Sequence, residues 1–470
     1  LNQGYMQPQL TRKDGVDNFT IIDSRTTGSS DRYNFSANVT DYRWVLQNVP
    51  ALKEESFTST IDNHIQKIQF ELTAQSSPLS PYVYMGSWPE KAGQLLKNEY
   101  FGDQLAKDNN WLSDVIKEAT GSATSAIERA KRVYAYVRDN FTCTDHSDLF
   151  LSQSLKNVLK TRKGTVSEIN LLLTAMLRYL NIAADPVILS TKSNGYTYAL
   201  YPILQRFNYV VCDANIDGKD YFLDATQPRL GFGRLTPECY NGHARVINSF
   251  ANAIEFNADS LMERKMTSIL VSLSKKGDME GTIQQYPGYF ESYDIRDKVK
   301  EKGETEFFKG IKTAYGEGAE IINPKIDSLN ILEEPIKISY EFKTPGSDED
   351  IVYINPIFGE GYKQNPFKSE ERAYPVEMPY AMDETIIFSL QVPEGYVVDE
   401  LPKSAVVKLN DEGDGSFEYR ISESGGMISM RCRIVLKRAY YLPEEYELLR
   451  EFFNLVVKKQ SEQIVLKKKK

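Results

Sequence analysis

The stretch 167–180, SEINLLLTAMLRYL, constrains the fold more than any other part of the chain. Ile169, Leu172, Leu173, Met176, Leu177 and Leu180 recur at helical spacing and crowd most of the helix surface. A helix that is apolar around most of its circumference has to be wrapped by other elements. The segment therefore predicts a central, buried helix, with Ser167 as its capping residue and Glu168 in the first turn, where the helix dipole favours negative charge. Three strands are expected after it, Ala184–Ser190, Phe207–Cys212 and Tyr221–Asp224, the last two joined by a hairpin turn at Asp217-Gly218.

Two more helices are expected before it, within Trp111–Phe141. Ser113 is a cap for the first and Gly121 its stop. Ser125 and Glu128 have capping-box spacing for the second. Ile127, Ala130, Val133, Tyr134 and Val137 should form its buried stripe.

Outside this region the pattern changes to a period of two. Residues 1–105 read mostly as strands: Asn34–Thr40 alternates, as does Ile65–Leu72. Ile386, Phe388, Leu390 and Val392 alternate with Thr385, Ser389 and Gln391, and Ile428, Met430, Cys432, Ile434 and Leu436 with Ser429, Arg431, Arg433 and Val435. Asp294–Ala314 and Pro443–Gln460 read as helical, the latter with Tyr446, Leu449, Phe452, Phe453 and Val456 on one face. With 470 residues, about three domains are expected. The fold class is α+β and multidomain: an antiparallel β domain over 1–105, a central α+β domain over 106–258, and a β-sandwich with attached helices over 259–470.

Several function classes are disfavoured. A net charge of −9 argues against nucleic acid, whose binding rests on clustered Lys and Arg. The one basic run, Lys467–Lys470, reads as a solvated tail. No apolar run approaches the ~18 residues needed to span a bilayer. The first residue, Leu1, is compatible with a cleaved signal peptide and equally with a shortened chain. The four cysteines, Cys143, Cys212, Cys239 and Cys432, show no CxxC spacing. Cys143 and His146 lie in CTDH, but with three histidines in the chain further ligands are lacking. No metal or other cofactor is expected.

The segment Lys163–Asp224 resembles the transglutaminase-like superfamily of cysteine-dependent acyl transferases and peptidases. In that family a Gly-x-Cys segment opens a buried helix, a later strand carries His in a Phe-x-His-Val phrase, and the next strand ends in Asp-Ala-Thr. Here these read Gly164-Thr165-Val166, Phe207-Asn208-Tyr209-Val210 and Asp224-Ala225-Thr226. Trp44–Glu55 is similar to an uncharacterised domain that precedes such cores in bacterial secreted proteins. Asn365–Pro375, with Pro393–Tyr396 and Leu401–Lys403, is similar to the domain that follows them. The resemblance implies a periplasmic or extracellular location.

The family chemistry needs a thiolate at the helix N-terminus, a histidine to share its proton and an aspartate to orient that histidine. The resemblance puts Val166, Tyr209 and Asp224 at these three positions. Valine has no nucleophilic atom, and a phenol with a pKa near ~10 is a poor base at neutral pH. Loss of one triad member costs on the order of 10⁴–10⁶ in rate. Ser167 has no base beside it in the motif. Cys212, three residues after Tyr209, points to the other side of its strand and reads as a buried free thiol. Cys239 and His243 in PECYNGH could form a rescued pair, though loop polarity explains both. Tyr209 and Asp224, on adjacent strands, can satisfy each other by a hydrogen bond, with Val166 filling the vestigial cleft.

The expectation is therefore a catalytically inactive transglutaminase-like protein serving as a binding or scaffold module in the bacterial cell envelope, for a peptide, protein or glycan. The alternative is an active cysteine-type hydrolase or acyl transferase with a relocated nucleophile. A different thiol and imidazole side by side at the mouth of the central helix would overturn the reading of an inert site.

Overall fold

In the computed structural model the central helix runs over Val166–Tyr179, and every residue from Val166 to Leu177 is buried. The structure describes residues 8–23, 31–49, 51–77, 79–274, 277–346 and 349–469. The helix is capped by Thr165, whose hydroxyl accepts from Glu168 N while the Glu168 carboxylate accepts from Thr165 N at 3.0 Å. The cap is therefore two residues earlier than the expected Ser167. That serine is inside the helix, buried, and donates to Phe150 O at 3.2 Å.

A five-stranded antiparallel sheet packs on this helix in the order Ala253–Phe256, Gly242–Val246, Ala183–Leu189, Tyr209–Ile216, Lys219–Leu223. The turn at Asp217-Gly218 has positive φ at both residues, 54° and 78°, as the tight hairpin expected there requires. The helices Ser113–Thr120 and Ala126–Asn140 cover the other side. Gly121 ends the first as expected, but Ser113 is its first helical residue and makes no capping bond. Ser125 accepts from Glu128 N at 3.3 Å, whereas the Glu128 carboxylate pairs with Arg132 at 2.7 Å instead of closing the box.

Two expectations for the N-terminal part are corrected. Asn34–Thr40 does lie in a strand, in the antiparallel ribbon of Gln9–Asp23 with Asp31–Val45. Ile65–Leu72 does not: among the described residues no strand pairs with it, and Ile65, Ile68, Phe70 and Leu72 are exposed. Alternation marks a segment suited to a sheet, but a ladder needs a partner. Residues 88–96 form a helix rather than a strand. Ser87 and Glu90 make a full capping box, Pro89 sits in the first turn, and Trp88, Ala92 and Leu95 enter the central core.

The C-terminal part holds an eight-stranded sheet ordered Glu320–Asp327, Lys337–Thr344, Met279–Tyr286, Met262–Leu273, Ala381–Gln391, Met427–Leu436, Gly415–Ser424, Ala405–Lys408. Its one parallel pair is Met262–Leu273 with Ala381–Gln391. The alternating apolar sets of the two strands at its centre, Phe388 and Leu390, and Ile428 to Leu436, are buried as expected. The helix Tyr446–Gln460 covers this face with the stripe expected for it. Each such buried side chain contributes about 1.5–3 kcal/mol. The helical region expected over Asp294–Ala314 is two helices, Tyr289–Lys302 and Glu304–Tyr315, divided at Gly303 with φ 83°. Lys467, expected in a free tail, is paired on both sides in the strand Ile464–Lys468, the middle of a three-stranded sheet. Among the described residues no helix is long and apolar enough to cross a membrane.

Candidate functional site

The site forms where the first turn of the central helix meets the strands Tyr209–Ile216 and Lys219–Leu223. Val166 is the first helical residue and fully buried. Its N–H, one of the free donors at a helix start, is taken by Asp145 O at 2.8 Å. Val166 shares a small apolar cluster with Tyr209, Val187, Val211, Leu235 and Cys239.

Tyr209 donates its hydroxyl to Asp224 Oδ2 at 2.7 Å. Asp224 has zero exposure, and its other oxygen accepts from Asn170 Nδ2 at 3.0 Å, Thr226 N at 3.0 Å and Thr226 Oγ1 at 2.6 Å. A buried carboxylate with this many donors is satisfied without an imidazole. Burial pushes the Tyr209 phenol well above its ordinary range, and the Asp224 charge adds to this. It remains a phenol, donating to the carboxylate. Asn170 was not singled out from the sequence. Its amide also donates to Val210 O at 2.8 Å and its oxygen accepts from Ala225 N at 2.9 Å, tying the helix to both strands. The available signal was an asparagine inside an otherwise apolar helix.

The cleft above this layer is not filled. A cavity of about 440 Å³ remains, with Tyr209 in its wall and Val166 sealed off beneath. The expected packing of Val166 with Tyr209 is present, but it floors the cleft and does not close it.

Cys143 reaches the same place by a route that motif spacing did not show. Thr142–Cys143 pairs in parallel with Lys163–Gly164, immediately before the helix. Cys143 Sγ lies 3.6 Å from His146 Nδ1. A thiol and an imidazole thus meet at the helix mouth, at positions other than those the resemblance assigns, which goes against the expectation of a site without such a pair. The Cys143 thiol also donates to Asp145 O at 3.3 Å. Burial pushes it up to about 12, and the negative charges of Asp224 and Asp145 add to that. Gln227 Nε2 is shared between Tyr209 Oη at 3.1 Å and His146 Nδ1 at 3.2 Å. An amide nitrogen can only donate, so Nδ1 is the acceptor in its contact with Gln227.

The remaining candidates stay apart. Cys212 is buried in the main core on the side of its strand opposite Tyr209. Burial pushes its thiol up to about 12. Cys239 is buried beside Thr236, its thiol raised well above its ordinary range by burial. His243 is engaged elsewhere: its Nε2 accepts from Arg245 at 2.9 Å and its Nδ1 contacts Thr197 Oγ1 at 3.1 Å. Burial, with the Arg245 charge, lowers it to about 4. The Cys239–His243 pair is therefore not assembled. Among the described residues no three His, Cys, Asp or Glu side chains converge as a metal site.

Residues 113–213 match the family model of the transglutaminase-like superfamily, and residues 350–466 match a domain of unknown function, DUF3858. No curated protein matches the chain. Among solved structures, the chain is similar to a putative protease from Parabacteroides distasonis, with 15% identity, a TM-score of 0.50, and coverage of 97% of this chain and 70% of that one. A second match is a putative cysteine protease from Cytophaga hutchinsonii, at 12% identity and a TM-score of 0.20, over 47% of this chain and 68% of that one. At this identity the first likeness concerns the fold. It agrees with the arrangement described above: a strand ribbon, a transglutaminase-like core, and C-terminal sheets with a helix.

Proposed function

We propose that this chain, built around a transglutaminase-like core, is a catalytically silent member of that fold that uses its retained cleft to bind, serving as a binding or scaffold module of the bacterial cell envelope. The observation that carries this reading is the pairing of a sealed Val166 with a Tyr209 hydroxyl spent on Asp224. Nucleophile and base are both replaced by groups that satisfy their neighbours. The cavity beside them persists. A retained cleft whose wall includes Asp145, Glu238 and three side-chain amides supports binding rather than the loss of every role.

The second reading is an active hydrolase or acyl transferase with a relocated nucleophile, favoured by the 3.6 Å approach of Cys143 to His146. Two features weigh against it. The thiol is held protonated by burial, and the charges of Asp224, Asp145 and Glu168 add to this. The N–H of Val166, which would help such an anion, is occupied by Asp145 O.

Two measurements on the purified protein separate the readings. Glycan and peptide arrays should give a hit without turnover. Iodoacetamide should label all four cysteines slowly. Fast labelling of Cys143 alone that is lost in His146→Asn, together with turnover of a peptide or glutamine-amide substrate, would establish the second reading instead.

A further inference from the structure

The lining of the cleft narrows the class of ligand it can take, given the binding role proposed above. Its polar wall carries two carboxylates, Asp145 and Glu238, and three side-chain amides, Asn194, Asn208 and Gln227. The amide nitrogens are already committed. Gln227 Nε2 donates to Tyr209 and His146. Asn208 Nδ2 donates to Thr191 Oγ1 at 3.1 Å and Ser147 Oγ at 3.2 Å. Asn194 Nδ2 donates to Ser190 Oγ at 2.9 Å and Arg206 O at 3.0 Å.

The oxygens are in the opposite state. Asp145 Oδ1 accepts from Ser147 N at 2.8 Å and Glu238 Oε2 from Ser193 N at 3.3 Å. The second oxygen of each carboxylate, and the side-chain oxygens of Asn194 and Gln227, have no protein donor among the described residues. No lysine or arginine lines the cavity. The lysine next in sequence to Ser193, Lys192, donates to Met378 O at 3.1 Å, and its charge also acts on Glu238.

We infer that the cleft selects an organic cation carrying several N–H donors, a guanidinium ahead of an ammonium, presented by a peptide. An anionic ligand would meet the charges of Asp145 and Glu238, the latter only partly offset by Lys192. A neutral polyol could use the acceptors but would leave the charge unanswered, and the rings in the wall are the buried Tyr209 and the small imidazole of His146. A guanidinium offers five donors in a planar fork and is more weakly hydrated than an ammonium, so it gives up less water on entering a cleft of acceptors.

The test is calorimetric titration of the full chain with four capped tripeptides, Gly-X-Gly, where X is arginine, lysine, citrulline or glutamate. Arginine should bind at least about tenfold more tightly than its uncharged isostere citrulline, because a charge-assisted bond to carboxylate is roughly twice as strong as a neutral one. Lysine should fall between them, and glutamate should not bind. Glu238→Gln and Asp145→Asn keep the acceptor geometry and should each weaken arginine binding about fivefold, with unchanged circular dichroism. Equal affinity for arginine and citrulline, or binding of the glutamate peptide, overturns the ligand class but leaves a binding cleft. If all four fail, an array hit abolished by mutation of the cleft overturns the class alone. No hit on any array overturns the binding reading as well.

Discussion

Glu377 accepts a hydrogen bond from the Tyr196 hydroxyl, joining the C-terminal part of the chain to the loop after the strand Ala183–Leu189. The same carboxylate receives Ser59 N at 2.8 Å and approaches His64 Nε2 at 3.5 Å. Three distant stretches of sequence thus meet on one acid. Arg372, nearby in sequence, donates to Ser56 O at 2.7 Å and Phe57 O at 2.8 Å and fastens the same N-terminal segment.

This junction should be sensitive to acid. Burial alone would raise the Glu377 carboxyl, but donation from His64, Tyr196 and Ser59 outweighs it and holds the group at about 2. A carboxyl depressed in the folded state stabilises the protein fully above its unfolded value of 4.5, and this stability is lost as pH falls through about 2. Glu377→Gln should lower the melting temperature at pH 7 and flatten its decline between pH 4.5 and 2. Parallel declines in wild type and variant would contradict this.

Asp213 should behave in the opposite sense. Burial, with the charges of Asp220 and Asp185, raises its carboxyl to about 7. Asp185 lies directly opposite it on the neighbouring strand. A raised acid contributes stability below its unfolded value of 3.8 that is lost as pH rises through about 7. Asp213→Asn is expected to stabilise the protein more at pH 8 than at pH 5. Urea unfolding at the two pH values measures this, and an equal gain at both would refute it.

Tyr209→Phe removes the donor to Asp224 Oδ2 and leaves a buried carboxylate oxygen without a partner. The expected cost is about 1–3 kcal/mol in urea unfolding, with the core otherwise intact. If Tyr209 were idle at this position, phenylalanine would fit the apolar cluster at no cost.

Gly288 is required by close approach. A Cβ there would sit 2.0 Å from Glu263 Oε2. That carboxylate accepts from Tyr289 N at 3.1 Å and Phe290 N at 3.0 Å, closing the start of the helix Tyr289–Lys302 from another strand. Gly288→Ala should displace the cap and cost about 2 kcal/mol of stability. An unchanged melting temperature would show that the glutamate can step aside.

Much of this architecture was legible in the residues themselves. The density of apolar side chains from Ile169 to Leu180 could only be a wrapped helix, and Asp217-Gly218 could only be a tight turn. Positions 166 and 209 were picked out because they sit inside short phrases whose fixed spacing resembles the transglutaminase-like family. Local chemistry specifies local conformation, since propensity, capping and turn geometry act within a few residues. Ser87 and Glu90 show that such a signal can also be overlooked.

Long-range pairing was decided elsewhere. Ile65–Leu72 has the alternation of a strand, yet whether it becomes one depends on a second segment that lines up with it, and none among the described residues does. Cys143 stands beside the helix mouth because Thr142–Cys143 pairs with Lys163–Gly164, and Gln227 joins His146 to Tyr209 only once the sheet has brought residues 81 positions apart together. Sequence alone determined that position 166 carries no sulfur and position 209 no imidazole. The tertiary structure alone decided that a cleft survives above them and that its wall presents oxygens, because the direction in which an amide or carboxylate points is set by the neighbours that claim its other end.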